Sequence, residues 1–194
     1  MKKLITIIFL LNQILGNAHS MQPDAFVQAT VNRASEILSK NISKEEKTNG
    51  LKVIAKETVD IMGVGFYSLG SARKVLNDNQ KQKYFDLFEE YFLKSFSSRL
   101  SEYTNPKIEV KGKKVINKNY TIVNSVLVST SDRPEVRIDW RVYTKNPNNP
   151  LIRDLIIEGL SLARTQKEEF ASIINSNDGD INALFKTLEN FTKN

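Results

Sequence analysis

The side chains that most often carry acid–base and nucleophilic chemistry are nearly absent from this chain. It contains no cysteine, which excludes thiolate catalysis, disulfides and cysteine-ligated zinc. Its one histidine, His19, lies close to the N-terminus, where signal cleavage is expected either to remove it or to leave it at the new terminus. No carboxylate pair stands out by its spacing, and no glycine-rich phosphate loop is present. We therefore expect a protein that is not an enzyme and that has no catalytic residues, metal or cofactor.

Aromatic residues are the side chains whose spacing stands out. Between residues 84 and 103 they recur at helical intervals, which places them along one side of a long helix. The members of this stripe are Phe85, Phe88, Phe92, Phe96, Leu100 and Tyr103, widened by Tyr84, Leu87 and Tyr91. A stripe of this kind packs into a solid core or lines a pocket for an apolar ligand, and the pattern fits both.

After Pro106 the period changes from helical to alternating, which indicates strands. The clearest strand has Val136, Ile138, Trp140 and Val142 on one side. In the strand before it, we expect the apolar face to be the one that carries Tyr120, Ile122, Val126 and Val128. Strands that begin near Ile108 and Leu151 bring the number to four, and Gly159 closes the sheet. Because the turns are short, the four strands must be antiparallel.

Helices are predicted on both sides of this strand region, which makes the class α+β. The first covers residues 23–40. Ser43 with Glu46 forms a capping box for a second helix toward residue 57, and Asn77 with Gln80 starts the long aromatic helix. The glycine-interrupted segment Val59–Leu69 is predicted to form short helical turns. Two further helices cover about residues 162–174 and 180–191.

The N-terminus has the organisation of a signal peptide. A basic start, Met1–Lys3, precedes the apolar run Leu4–Leu11, and small residues allow cleavage after Ala18 or Ser20. An uncleaved anchor is the alternative. We predict a signal peptide over residues 1–20 and one domain over 21–194, exported to a bacterial periplasm, since a chain of this size needs no disulfides to build a core. Removal of Lys2 and Lys3 leaves a net charge of +4, and dispersed lysines without a basic-aromatic motif argue against nucleic-acid binding.

Four segments resemble the MlaC family of periplasmic phospholipid-binding proteins, also called toluene-tolerance proteins, which are auxiliary to ABC transporters. The segment Asp154–Leu162, followed by Phe170, is similar to the family signature. Phe96–Tyr103 resembles an aromatic helix of the family, Ile138–Val142 resembles its third strand, and Leu69-Gly70 with Gln80 matches its helical elbow. Their order holds over almost the whole chain after residue 20.

The resemblance implies a twisted four-stranded antiparallel sheet packed against several helices that enclose a hydrophobic cavity. It implies a monomeric carrier that holds acyl chains there, shuttles phospholipid between the inner and outer membranes and maintains outer-membrane lipid asymmetry. The implied partners are phospholipid, an inner-membrane MCE-domain ABC transporter and an outer-membrane lipoprotein complex.

Apolar residues of the stripe, the short helical segment and the sheet are the predicted contacts of the acyl chains. They are Phe66, Leu69, Phe85, Phe88, Phe92, Phe96, Leu100, Ile122, Val126, Ile138 and Trp140. Arg99, Arg141 and Lys107 are predicted to face the phosphate of the headgroup.

Three positions depart from the family pattern. Phe96 stands where a tyrosine is usual, Arg73 stands where many members have tryptophan, and Pro150-Leu151 replaces the usual tryptophan before the last strand. These differences change the expected wall of the cavity.

Two other functions remain compatible with the sequence. One is a ligand-free periplasmic adaptor whose apolar residues form a solid core. The other is an enzyme on a cone-shaped α+β scaffold that uses a pocket residue such as Asp139 or Tyr143, although the lack of histidine argues against it.

Overall fold

A computed structural model describes residues 21–193, in which six helices accompany a five-stranded antiparallel sheet. The predicted signal peptide lies outside the described residues. The elements, in chain order, are α1 Pro23–Ser39, α2 Lys44–Thr58, α3 Ile61–Ser68, a 3₁₀ turn at Ala72–Lys74, α4 Asp78–Leu100, β1 Ile108–Asn117, β2 Tyr120–Leu127, β3 Val136–Tyr143, β4 Leu151–Ile157, β5 Leu160–Ser161, α5 Leu162–Asn175 and α6 Ile181–Lys193. The α+β class is confirmed.

Both predicted capping boxes are present and explain where α2 and α4 begin. The side chain of Ser43 accepts a hydrogen bond from the Glu46 amide, and the Glu46 carboxylate accepts one from the Ser43 amide. Hydrogen bonds that this carboxylate accepts from the Ser43 hydroxyl and from the Ser43 amide hold the pKa of Glu46 below its ordinary value. Asn77 and Gln80 make the same reciprocal pair at the start of α4.

The sheet has one strand more than the sequence predicted, with the order β1-β2-β3-β4-β5. Gly159 does not close the sheet. Glu158 and Gly159 both have positive φ, 49° and 87°, and together form a two-residue hairpin turn. The chain then returns as β5, whose two residues are too few to show an alternating pattern in the sequence.

The buried face of β2 is the opposite of the predicted one. Thr121, Val123, Ser125 and Leu127 are buried, whereas Ile122 and Val126 are half-buried on the other face. Val123 pairs directly with Trp140 on β3, so the buried residues of β2 and Trp140 lie on the same face of the sheet. Hydrophobicity indicated the wrong face because Ser125 is polar; its hydroxyl is satisfied by donating to the Ile138 carbonyl at 2.9 Å.

Two separate apolar cores result from this arrangement. The sheet core packs three residues of α1 against the Trp140 face of the sheet; its buried members are Phe26, Val27, Val31, Val123, Leu127, Ile138, Trp140, Val142 and Ile152. The helical core joins α3, α4, α5 and α6 with the segment before α4; its buried members are Val64, Leu69, Leu76, Tyr84, Phe88, Phe170, Ile174, Ile181, Leu184, Phe185 and Leu188. Val59 packs against both cores.

Helix α4 connects the two halves of the molecule. It packs extensively on α2 on one side and on α3 and α6 on the other. α1 rests on β1 and β2, whereas α3 and α5 rest on β4. Helix α4 thus contacts α3 directly and is connected to α1 through α2. None of the helices between residues 21 and 193 has the length and apolar content needed to cross a membrane.

We predict that Phe88 and Phe66 differ sharply in their contribution to stability. Phe88 is 1% exposed, so Phe88→Ala should lower the free energy of unfolding by about 3–5 kcal/mol, because it leaves a cavity in the helical core. Phe66 is 43% exposed and serves as the matched control, for which we expect a loss of about 1 kcal/mol or less. Urea unfolding measures both values. Equal losses would contradict the assignment of Phe88 to a closed core.

Candidate functional site

A polar cluster centred on β4 connects helices α3 and α5 to the sheet. Its four residues are Asp60, Tyr120, Arg153 and Asp154, and we call them the β4 junction. The Arg153 guanidinium donates to the Asp60 carboxylate at 2.6 and 2.7 Å and to the Tyr120 hydroxyl at 2.6 Å. It also lies 3.6 Å from the centre of the Tyr143 ring. One arginine thus links the start of α3 to β2 and β3.

Asp60 extends this link into the helical backbone. Its carboxylate caps α3 by accepting a hydrogen bond from the Gly63 amide at 2.9 Å, and its own amide donates to the Ile152 carbonyl at 2.9 Å. Burial lowers the pKa of Arg153, but the hydrogen bonds to Tyr120 and Asp60 outweigh it and raise that pKa overall. The guanidinium therefore stays charged at every physiological pH.

Asp154, the next residue of β4, holds α5 in the same way. Its buried carboxylate accepts hydrogen bonds from the Ser161 hydroxyl at 2.7 Å and from the Ala163 amide at 3.0 Å. Two neighbouring residues can serve different helices because the strand bulges here. Arg141 pairs with Asp154 and Val142 pairs with Ile152, which leaves Arg153 as the extra residue.

Two sides of α4 are committed to the protein's own core. Tyr84 donates to the Gly65 carbonyl at 2.9 Å, and Tyr91 donates to the Gln166 side chain at 2.9 Å. Burial raises the pKa of both tyrosines, so both hydroxyls remain protonated. On another side, Leu93 and Ser97 are buried.

The third side of α4 carries apolar residues that are only half-buried. Phe92, Phe96 and Leu100 lie there, and the rings of Phe92 and Phe96 stack with their centres 5.6 Å apart. The chain after α4 is tied to the sheet, since the Val128 amide donates to the Lys107 carbonyl at 2.8 Å. This connection brings the C-terminal end of α4 toward the edge of the sheet where β1 begins and β2 ends.

The sheet also has half-buried apolar residues on its Trp140 face. Val136 and Leu155 pack at the margin of the sheet core, and Leu155 pairs with Trp140. The Trp140 indole donates to the Ser125 hydroxyl at 2.8 Å, which fixes the ring without any external partner. We use the term seam for the incompletely buried apolar residues of α4 and of this sheet face: Phe92, Phe96, Leu100, Val136 and Leu155.

The structure distributes the predicted acyl-chain contacts among several places. Phe92, Phe96 and Leu100 belong to the seam, and Ile138 and Trp140 lie beside it in the sheet core. Phe85 is half-buried against the helical core, where Leu69 and Phe88 are buried. Phe66 is exposed, and Ile122 and Val126 lie on the opposite sheet face. Contact of these residues with an acyl chain stays a prediction.

The predicted headgroup residues are exposed and do not share one surface. Lys107 forms an ion pair with Glu109 at 2.7 Å; hydrogen bonds from Lys107 and Lys111 lower the pKa of Glu109 to about 2. Arg99 is exposed on the last turn of α4. Arg141 lies on the sheet face opposite Trp140, because it pairs with Ile122. Their contact with a phosphate stays a prediction.

Two of the grooves on the surface of residues 21–193 are lined by residues other than the seam. One has a volume of about 330 Å³ and lies beside Tyr67 and Arg73. The other, of about 470 Å³, runs between α1 and β1 beside Gln28 and Ile108. In the described conformation, therefore, the seam residues do not line either groove.

The residues named for the enzymatic alternative have structural partners. Asp139 accepts a hydrogen bond from Asn124 at 2.9 Å and lies 3.8 Å from Arg137. Tyr143 is covered by Arg153. Within the part of the chain that the structure describes, no three His, Asp or Glu side chains converge in the manner of a metal site.

Comparison with known proteins places this architecture in a family. The family model described as MlaC protein matches residues 28–190, and the chain therefore belongs to the MlaC family. A solved structure of a phospholipid-binding protein from Ralstonia solanacearum, in complex with a phospholipid, has the same fold with a TM-score of 0.74. It is 20% identical, and the match covers 88% of this chain and 96% of that one. No curated protein matches.

Two of the four residues of the β4 junction were not predicted from the sequence. Asp154 lies in the segment that resembles the family signature, but Arg153 and Asp60 were not singled out. Asp60, directly before an apolar segment, was a readable helix-cap signal. Nothing in the sequence indicated the bulge, because pairing between strands depends on the partner strand rather than on local residue types.

We predict that the β4 junction contributes substantially to stability. Arg153→Gln should lower the free energy of unfolding by about 2–3 kcal/mol, because it leaves the Asp60 carboxylate, only 18% exposed, without its charged partner. Arg33→Gln is the matched control, because the Arg33–Glu57 pair is exposed, and we expect a change within about 0.5 kcal/mol. Chemical denaturation measures both, and comparable losses would show that Arg153 contributes no more than a surface ion pair.

Proposed function

We propose that this protein binds a phospholipid and holds its acyl chains between α4 and the Trp140 face of the sheet. The observation that carries the proposal is the half-buried aromatic side of α4, where Phe96 stacks on Phe92 and Phe92 in turn packs against the helical core. Membership in the MlaC family and the bound phospholipid of the similar Ralstonia solanacearum protein support it.

The seam and its neighbours in the sheet core supply the contacts of the acyl chains in this proposal. Phe92, Phe96 and Leu100 contact them from the helix and Leu155 from the sheet, with Ile138 and Trp140 beside it. Because no residue of α4 belongs to the sheet core, we infer that the seam opens by movement of α4 relative to the sheet. The β4 junction keeps α3 and α5 attached to the sheet.

Energetics favour a carrier over a permanent binder. Burial of two acyl chains with about 30 carbons in total would yield roughly 24 kcal/mol gross relative to water, beyond the practical ceiling of about 18–21 kcal/mol for non-covalent binding. A bilayer, however, offers the same apolar surroundings, so transfer from membrane to seam is close to neutral. A lipid that enters and leaves at little net cost is what a shuttle requires.

The same proposal covers the cellular setting. We infer that residues 1–20 direct export, that the protein works in the periplasm as a monomer, and that it moves phospholipid between the inner and outer membranes to maintain lipid asymmetry. Its partners would be an inner-membrane MCE-domain ABC transporter and an outer-membrane lipoprotein complex, as family membership suggests. No catalytic role is part of the proposal.

Native mass spectrometry of protein purified without detergent, followed by organic extraction, tests the binding proposal. We expect a mass increase equal to one or more phospholipids, which extraction then identifies. A clean apo mass together with no uptake from liposomes would refute the carrier and favour the ligand-free adaptor.

A blocking substitution tests where the lipid lies. Leu155→Trp adds bulk to the seam, and since overpacking costs about 1–3 kcal/mol, we expect lipid retention to fall by about fivefold or more. Ile122→Trp is the matched control, because Ile122 is also half-buried but lies on the opposite sheet face. Native mass spectrometry gives lipid occupancy, and thermal unfolding confirms that both variants are folded. Equal retention by the two variants would place the lipid elsewhere.

A further inference from the structure

The short helix α3 carries an apolar face that is exposed to a large extent within residues 21–193. Met62 is 63% exposed, Phe66 is 43% exposed and Tyr67 is 40% exposed, although α3 spans only eight residues. Val75, directly after the 3₁₀ turn, is 83% exposed. Four large apolar side chains from one short stretch are more than the scattered exposure that soluble proteins usually show.

Three cations line a groove beside this apolar face. Arg73, Lys74 and Lys167 surround the groove of about 330 Å³, together with Tyr67, Gly70 and Ser71. No carboxylate is among the lining residues, and none of the three cations has an ion-pair partner within residues 21–193. The groove is therefore electropositive, and its charge is not neutralised by the described part of the chain.

The cations are held in place by the apolar face itself. The Arg73 guanidinium lies 4.9 Å from the centre of the Phe66 ring, and the Lys167 ammonium lies 5.4 Å from that of Tyr67. Gly70 has a φ of 57° and no side chain, so the aliphatic part of Lys167 packs close to it. A Cβ at residue 70 would lie 3.2 Å from the Lys167 Cε. Apolar and cationic groups thus form one continuous surface, which we call the α3 surface.

We propose that the α3 surface docks the protein on an anionic membrane surface. Interleaved apolar and cationic side chains are the pattern of proteins that bind at the membrane interface, where rings enter the headgroup region and cations meet lipid phosphates. A free phosphate would use the cations but leave the four apolar side chains in water. The surface is formed by α3, the segment that follows it and Lys167, and it contains none of the seam residues. Docking is therefore a step that goes beyond the proposed lipid carriage.

Flotation of the purified protein with two kinds of vesicle tests this inference. Vesicles of phosphatidylcholine alone are compared with an equimolar mixture of phosphatidylcholine and phosphatidylglycerol. We expect binding only to the anionic vesicles. Because each cation near such a surface contributes about fivefold in affinity, Arg73→Glu with Lys74→Glu should weaken binding by about 25-fold or more. Met62→Ser with Val75→Ser should weaken it as well.

The matched control is Lys114→Glu with Lys118→Glu, which makes the same change in net charge on another basic surface. Those lysines flank Val115 and Ile116, which are 67% and 52% exposed, so they also combine charge with apolar exposure but lie at the β1–β2 hairpin. We expect this variant to bind anionic vesicles like the unsubstituted protein. Circular dichroism confirms that each variant is folded.

Three results would overturn the inference. They are no preference for anionic vesicles, an equal loss in both charge-reversal variants, and displacement from vesicles by millimolar inorganic phosphate at constant ionic strength, which would indicate a soluble-anion site. Native mass spectrometry of the Arg73→Glu, Lys74→Glu variant separates docking from carriage. We expect its lipid load to be unchanged, and a parallel loss of both would show that the α3 surface belongs to the lipid site rather than to docking.

Discussion

The ion pair between Arg153 and Asp60 is the contact on which the relation of helices to sheet depends. Both side chains are largely withdrawn from solvent, at 28% and 18% exposure, so the loss of either one leaves the charge of the other without compensation. Asp154 beside it holds the first turn of α5. A single bulged strand therefore fixes two helices, and the rest of the helical core assembles on them.

Away from the β4 junction the contacts are apolar, and they differ in how completely the side chains are buried. Within each core, apolar side chains are closely packed, as around Phe88 and Trp140, and such packing gives rigidity. The aromatic side of α4 and the margin of the Trp140 face of the sheet present half-buried residues instead. In the proposed function, acyl chains complete the apolar surface that these residues leave unfinished.

The sequence predicted the elements better than it predicted their faces. Ser43 and Asn77 marked the starts of α2 and α4 because capping is a local interaction. The prediction of which face of β2 is buried was wrong, because the burial of Ser125 depends on hydrogen-bond partners from β3, which the local sequence of β2 does not reveal. Arg153 was missed for the same reason, since its role arises from a bulge and from Asp60, which lies 93 residues away.

The most direct test of acyl-chain placement uses Trp140, the single tryptophan of the chain. Phospholipids with a doxyl group at different positions along an acyl chain are loaded, and quenching of the Trp140 fluorescence is recorded. If the chains lie between α4 and the sheet, quenching is strong and depends on the position of the doxyl group. Stoichiometric lipid without quenching at any position would contradict this placement.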